Sequence, residues 1–520
     1  MADARARIDA LLDAIVANVD ATRAELDSVL LVPKPEPGHV VIPVACGESV
    51  QDAYDTLLPT GGVLKLAPGV HRGDLKLAAR PTDARLIIFT SDSENLPDEQ
   101  TRTGPEYAEA LAILEGVTAN RSQLRIPNQS RQTAFVNIGF APPVTKSYPH
   151  IEMGGDELGM LTPADRPDAF TFDRIYVYGD PVLGAHLGIS ANAANVTVRK
   201  SYFKDIIEKG RDAQAIKGWN GCQNLLVDDC YLEASGENMM FGGADSASPA
   251  MTSQDIVIRD CTFAKQYNDA WKAASIKCLF EIKNVKRLTM DRCLLENNWA
   301  RDWSTGVAIM LKACNGSGGE TWATCEDVTL QNLVLRNIGS VFGLIGKNDS
   351  ARISDWMRRV TLRNILAYNI NVAPWLGSGH GCPVANGVEG GFTMDHITMH
   401  TNAHSWLDFR TDSGYTKSPG PLVVTNSMLA EGSYGYFSED HGIGFAAVEK
   451  DWSGTTLAGN VWKAGSRAQG TMPPNNLRLT AAAWDASLGP DHLVIAGSEA
   501  AAVVTTDGKL PGVDGAALPT

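Results

Sequence analysis

An all-β solenoid with an α-helix ahead of it is the fold class this sequence predicts, and three observations predict it. One phrase recurs along residues 195–466: VTVRKSYF from Val196, LLVDDCYL from Leu225, IVIRDCTF from Ile256 and VTLRNILA from Val360 are four of its copies. Its aligned apolar positions are Val198, Val227, Ile258, Met290, Leu330, Leu362, Met394, Val424 and Leu457. They recur about every 30 residues, and self-similarity at such a period marks a repeat architecture. Within each phrase the fifth residue after the aligned one is apolar again, as in Phe203, Leu232, Phe263 and Leu295. Five is odd, so a straight strand cannot turn both side chains inward and a bend lies between them.

In chain order, residues 1–31 read as an α-helix in which Ile8, Leu12, Ile15, Val19, Thr22, Leu26 and Val29 follow alternating steps of 4 and 3. This is the a/d seam of a coiled coil, suited to oligomerisation or attachment. The plainer alternative is an amphipathic helix lying on the body of its own chain. Residues 32–46, opening VPKPEPGH, form a Pro-rich linker. The body spans residues 47–466 and begins with helical spacing over 48–58, which Gly61 and Gly62 break before the strand-like VLKLAPGVH. A helix there caps the open edge of a sheet stack. RLIIFTSD and AFVNIGFA suggest early coils, while TRTGPEYAEALAILEG and TKSYPHIEMGGDELGMLTPADRPDA read as insertions, leaving DRIYVYGD from Asp173 as the first clear rung. Residues 467–520 form a closing segment that suits the far end of the stack.

Composition supports one large core, since 44% of the 520 residues are apolar and 20% charged. No run of about 18 apolar residues exists, so no membrane insertion is expected. A net charge of −15 argues against nucleic acid as a partner. Asp9, Asp13 and Asp20 interrupt the apolar run a secretory signal would need, so synthesis in a cytoplasm without a signal peptide is expected. Cys230, Cys261 and Cys293 share one position of the repeat and read as an interior ladder. Cys314 and Cys325 bracket a loop that they would staple only in an oxidising medium. Asp228, Asp229, Asp260, Asn332, Asn364 and Asn426 fall at the strand bends, where such residues tolerate unusual backbone angles.

A cap followed by coils of this length resembles the right-handed parallel β-helix proteins, the group of pectate-lyase-like enzymes and phage tailspikes. More narrowly, QAIKGWN from Gln214, GENMMFGGAD from Gly236, LFEIKN from Leu279 and LENNW from Leu295 are similar to phrases in a set of bacterial and phage β-helix proteins. The tailspike resemblance implies a homotrimer, a virion location and a phage tail or capsid attachment partner for the N-terminal helix.

Chemistry is expected in a second strand of each coil. AIKGW, MMFGG, FEIKN, AIMLKA, GLIGK and LDFRT align Lys217, Gly242, Lys283, Lys312, Gly346 and Arg410 in one outward row. Such a row can hold an extended anionic polymer; the plainer reading is a solvated face screened by acids such as Glu281. Glu208 and Glu237 each lie ten residues after an aligned position and form a candidate carboxylate pair for glycoside hydrolysis. Glu237 can instead bond buried backbone at a turn. A lyase would instead use Lys217, Lys272, Lys283 or Arg301 to take a proton beside a uronate carboxylate. Trp299, Arg301, Asp302 and Trp303 form one loop, the expected rim of a substrate groove. His380 reads as a lone loop histidine. No acidic run forms a calcium cage, so neither a metal nor another cofactor is expected.

These readings leave three functions. The first is a tailspike-like or tail-fibre-like protein that binds, and as an enzyme degrades, a bacterial surface polysaccharide. The second is a bacterial polysaccharide lyase or glycoside hydrolase outside any particle, and the third a structural decoration protein without activity.

Overall fold

The computed structural model describes residues 38–119, 121–142, 149–154, 159–301, 304–314, 316–349, 352–400, 404–411, 415–467 and 470–519. The heptad from Ile8 to Val29 lies outside them. Each regular coil supplies three strands, two to a 25-stranded sheet and one to a 13-stranded sheet. Strands of successive coils pair in parallel, with a strand or a short loop at each corner.

The repeat sets this register. Val198 pairs with Val227, Val227 with Ile258, Ile258 with Met290 and Met290 with Leu330. The same row continues through Leu362, Met394, Val424 and Leu457. All of these except Leu457 are fully buried. Below them Phe172, Phe135 and Phe89 extend the row as stacked rings. The second apolar position forms its own ladder, from Phe203 through Leu232, Phe263 and Leu295 to Leu335.

Between the two ladders the expected bend is a single left-handed residue. Lys200, Asp229, Asp260, Arg292, Asn332, Asn364, His396 and Asn426 have φ between 48° and 55°. One such residue resets the side-chain alternation, which is how two positions five apart both face inward. Asp228 does not share this geometry; its carboxylate accepts from Arg259 at 2.7 Å. Cys230, Cys261 and Cys293 are buried beside the bend, and Cys314 and Cys325 are not joined to each other.

The lower end is closed by α1 (Val50–Leu57), whose first turn is capped by the Ser49 hydroxyl accepting from the Asp52 N–H at 3.1 Å. It buries Tyr54 and Leu57 on the core, with the Tyr54 ring stacked on Phe89. Coils begin earlier than Asp173, because Val41–Val44 already pairs with Gly62–Leu66. The segments read as insertions carry rungs too: Ala112–Glu115 pairs with Gly69–Arg72, and Pro149–Met153 with Leu187–Ala191. Strands of four or five residues hold two or three inward side chains, too few for a visible period.

At the upper end Leu477–Leu479 adds the last strand. The chain then returns along the outside of the large sheet, where Val513 and Leu518 cover Val334 and Leu366. The Asp514 N–H donates to Asn364 Oδ1 at 2.6 Å, and the two ring nitrogens of His396 meet the Gly512 carbonyl and Asp507. Among the described residues no helix is long and apolar enough to cross a membrane.

Candidate active site

The small sheet carries the site. Its relevant strands are β1 (Gln214–Gly218), β2 (Glu237–Phe241), β3 (Phe280–Ile282), β4 (Val307–Lys312), β5 (Ser340–Ile345), β6 (Cys382–Ala385) and β7 (Ser405–Arg410). Ile216, Met239, Phe280 and Ile309 pair in succession and fill the core. Their neighbours Lys217, Met240, Glu281 and Met310 pair in the same way, and the two-residue period turns them outward.

This register corrects the single basic row expected from sequence. Lys217 stands beside Met240 rather than Gly242, and Lys312 pairs with Ile345 rather than standing beside Gly346. The slip from Gly242 to Met240 is two residues and leaves the side chains on the same face, so the outward direction of Lys217 was readable and its neighbour was not; the slip from Gly346 to Ile345 is one residue, which puts Gly346 off the row of Lys312. The consequence is chemical: the row of Lys217 contains Glu281.

Glu237 opens β2 beside Gln214. The N–H groups of Asn238 and Met239 both reach the Leu279 carbonyl, at 3.0 and 3.3 Å, a local doubling of the kind that re-aims a side chain. Asn238 turns inward, donating to the carbonyls of Leu232 and Ala264 at 2.6 and 2.7 Å, while Glu237 meets Glu281. One donor atom each from Glu237, Glu281 and Cys278 lies within 4.8 Å of the others. Gln214 Nε2 donates to Glu237 Oε2 at 2.6 Å, and Lys277 Nζ stands 3.0 Å from Oε1. Lys277 also holds Asp212, and Lys283 Nζ lies 3.4 Å from Glu281 Oε2.

Beneath this cluster Lys265 is fully buried. Its ammonium donates to the carbonyls of Ala234, Ser235 and Gly236 and to Asn238 Oδ1, at 2.7 to 3.0 Å. It thereby braces the turn that carries Glu237. Burial pushes its pKa down to about 7.

Glu237 is 0% exposed and Glu281 7%. Burial acts to raise both carboxyls, yet they separate. At Glu237 burial is outweighed by Lys277 and by hydrogen bonds from Glu281 and Gln214, so it is held ionised, below its ordinary range. At Glu281 burial and the negative charge of Glu237 push the pKa up to about 7. Burial also lowers the Lys217 ammonium, which lies 5.3 Å from the centroid of the Trp219 ring. Two carboxyls whose pKa values are driven apart form an acid and its ionised partner. Lys277 and Lys283 compensate the charge of the pair.

Of the residues singled out from sequence, the structure brings together Lys217, Glu237 and Lys283. Glu208 is not the second carboxylate: it lies in the corner after its strand, buried, 3.5 Å from Arg211, with its N–H donating to Ser235 Oγ. Lys312 ends β4 half-buried, and Arg410 ends β7 with its side chain 47% exposed, 3.3 Å from Asp408. Trp299 is 6% exposed and packs with Trp271, Trp375 and Tyr267, so its ring fills the loop's own core. Arg301 lies half-buried in the hairpin of Ala300–Arg301 with Ser304–Thr305. Asp302 and Trp303 fall outside the described residues. Glu281, Lys277, Asp212 and Gln214 were missed. The alternation in FEIKN already puts Glu281 and Lys283 on one face; the register that sets Glu281 against Glu237 was the missing piece.

No protein-family model and no curated protein sequence matches this chain. Solved structures do. A mannuronic acid specific polysaccharide family 6 lyase from human gut microbiota superimposes with a TM-score of 0.50 at 11% identity, over 85% of this chain and 91% of that one. The catalytic domain of a GH87 α-1,3-glucanase gives 0.49 at 11% identity, over 83% and 71% of the two chains. The Dettilon tailspike protein gives 0.39 at 12% identity, over 85% and 68%. At these identities the likeness is one of fold. In fold, the chain is an all-β right-handed parallel β-helix.

Proposed function

We propose that this β-helix binds a polysaccharide along the outer face of its small sheet and hydrolyses it at Glu237 and Glu281. The observation that carries the reading is the split between these two carboxyls. Glu281, protonated near neutral pH, gives its proton to the glycosidic oxygen. Glu237, ionised, faces the positive charge that develops on the sugar. Glu281 hydrogen-bonds Glu237 directly, so the two carboxyls stand closer than the about 5–5.5 Å of a retaining pair, nearer to that spacing than to the wider inverting one, and a sugar entering the site must part them. The partly exposed Asp212, Lys277 and Lys283 are what the polymer meets first. The excess of lysine there, with Lys312 and Arg410 further along the face, favours an acidic sugar.

One observation favours a lyase as the second reading. The lowered pKa of Lys217 suits a base that removes the proton beside a uronate carboxylate, with Lys277 and Lys283 neutralising that carboxylate. Incubation with capsule, lipopolysaccharide and pectin-like polymers separates the two. Hydrolysis yields new reducing ends without unsaturated uronates, and Glu281→Gln lowers its rate by at least about 100-fold. Unsaturated ends appearing in step with reducing ends would establish the lyase instead. Binding without either product would leave an adhesin.

The finer reading is a tailspike-like trimer on a virion, assembled through the Ile8 to Val29 seam. It is supported by that heptad pattern and predicts a trimer in light scattering of the full chain; a monomer overturns it.

A further inference from the structure

Four coils above the glutamate pair, on the same outer face, stands a second cluster that the proposed hydrolysis does not use. Glu281 pairs with Met310, Met310 with Gly343, and Pro383 with Asp408. Leu344 pairs with Val384, which sets Gly343 beside Pro383. At the spacing of parallel strands this puts Asp408 about 19 Å from Glu281. Asp408 lies in the middle of β7, 0% exposed, and both its oxygens face imidazoles. The His380 Nδ1 contacts Oδ2, and the His404 Nδ1 lies 3.4 Å from Oδ1. The two rings are 4.0 Å apart, and one donor atom from each of the three residues lies within 4.8 Å of the others.

We propose that His380, His404 and Asp408 bind a divalent transition-metal ion of the zinc type. Two imidazoles and a carboxylate are a donor set for zinc and its neighbours, not for calcium or magnesium, which take oxygen ligands. Three protein donors leave a position open for water or for a sugar oxygen.

The cluster is also built rather than incidental. The His380 carbonyl accepts from the Val341 N–H at 3.0 Å, and the neighbouring Gly381 N–H donates to the Ser405 carbonyl at 2.9 Å. A Cβ at Gly381 would stand 2.5 Å from the Trp406 carbonyl oxygen, so only glycine lets the loop bring His380 this close to β7. The His404 carbonyl accepts from the N–H groups of Ser433 and Tyr434 at 2.7 and 2.9 Å. Both histidines are thus held at the backbone, as a preformed site requires. Asp408 Oδ1 and His380 Nδ1 are buried, and neither makes a well-directed hydrogen bond. Arg410, 3.3 Å from Asp408 Oδ2, is the competing cation; its side chain is half in solvent and free to swing away when an ion enters.

The test uses the full chain freed of metal by chelation, then titrated with Zn²⁺ and with Co²⁺. The expected result is one equivalent of Zn²⁺ bound, weakened at least about tenfold in His404→Ala and in His380→Gln, and unchanged or tightened in Arg410→Ala. Thermal melting in chelator shows whether each variant is folded. The Co²⁺ spectrum of the unmodified chain needs no variant: weak bands of nitrogen and oxygen ligation support the site. Absence of stoichiometric binding, or affinity indifferent to both histidine substitutions, overturns the proposal. So does an intense thiolate-to-cobalt band, which would put the ion at a cysteine instead, either Cys46 beside His71, whose Sγ and Nε2 lie 3.9 Å apart, or Cys278 beside Glu237 and Glu281.

Discussion

Glu281 shows how much a neighbour changes a side chain's chemistry. An exposed glutamate is ionised at neutral pH; here burial and the Glu237 charge raise the pKa from 4.5 to about 7. A raised carboxyl binds more protons folded than unfolded between those two values, so the native state loses stability as pH rises through that window. We expect the unmodified chain to lose on the order of 2 kcal/mol relative to Glu281→Gln between pH 5 and pH 8. Denaturant melts of both proteins at the two pH values measure it, and parallel pH dependences would show that Glu281 titrates normally. Lys265 makes a second residue-scale prediction. Its ammonium satisfies three carbonyls and an amide oxygen, so Lys265→Met strands four buried acceptors and destabilises by roughly 2–4 kcal/mol at neutral pH. Sequence patterning named Lys217 and Lys283 because alternation along one strand is enough to show which side chains face out, and Glu237 because it stands ten residues after an aligned position of the repeat. It paired Glu237 with the wrong partner because that choice depends on register between coils, which a corner of variable length controls. Lys265, between a strand and a loop, carried no signal at all.

Among the elements, the bend ladder is the most informative. Asn332 and Asn364 both adopt φ near 50°, and the Asn364 amide donates to Asn332 Oδ1 at 2.9 Å while its own oxygen takes the Asp514 N–H. Asn364→Ala combines left-handed strain with a lost hydrogen bond, and we expect a loss of about 2 kcal/mol in equilibrium unfolding. A loss below about 0.5 kcal/mol would mean that the stacked strands impose the bend without help from the side chain. The cysteine ladder predicts a reactivity pattern: eight of the nine cysteines are buried and Cys46 is exposed. A thiol reagent should therefore titrate one group in the native protein and nine after unfolding. Rows like these were legible in the sequence, since a coil that stacks on its copy repeats the same demand at the same position. The short early strands around Ala112–Glu115 and Pro149–Met153 were not, because each shows too few inward residues to declare a period.

For the whole molecule, a stack of coils leaves two open ends and one long face, and the chain answers each separately. The helix Val50–Leu57 closes one end, and near the other the helix Phe445–Asp451 sets Phe445, Ala447 and Val448 into the core. Residues 504–518 do not end the stack but return along it, which composition alone could not reveal, because the apolar residues involved are few and scattered. Ending the chain at Val503 exposes Val334 and Leu366 and removes the partners of Asn364 and His396. We expect such a chain to fold with stability lowered by roughly 2–4 kcal/mol, and an unchanged unfolding midpoint would deny the strap any role. In the function we propose, the outer face of the small sheet is the surface that takes a polymer, with Glu237 and Glu281 at its chemical centre. That assignment rests on one protonation state, and a carboxyl titration by carbon-13 NMR of glutamate-labelled protein reads it directly. One carboxyl should titrate near pH 7 in the unmodified protein and be missing in Glu281→Gln. If instead every glutamate in the unmodified protein titrates below about pH 5, the pair is not an acid with its ionised partner and the catalytic reading fails.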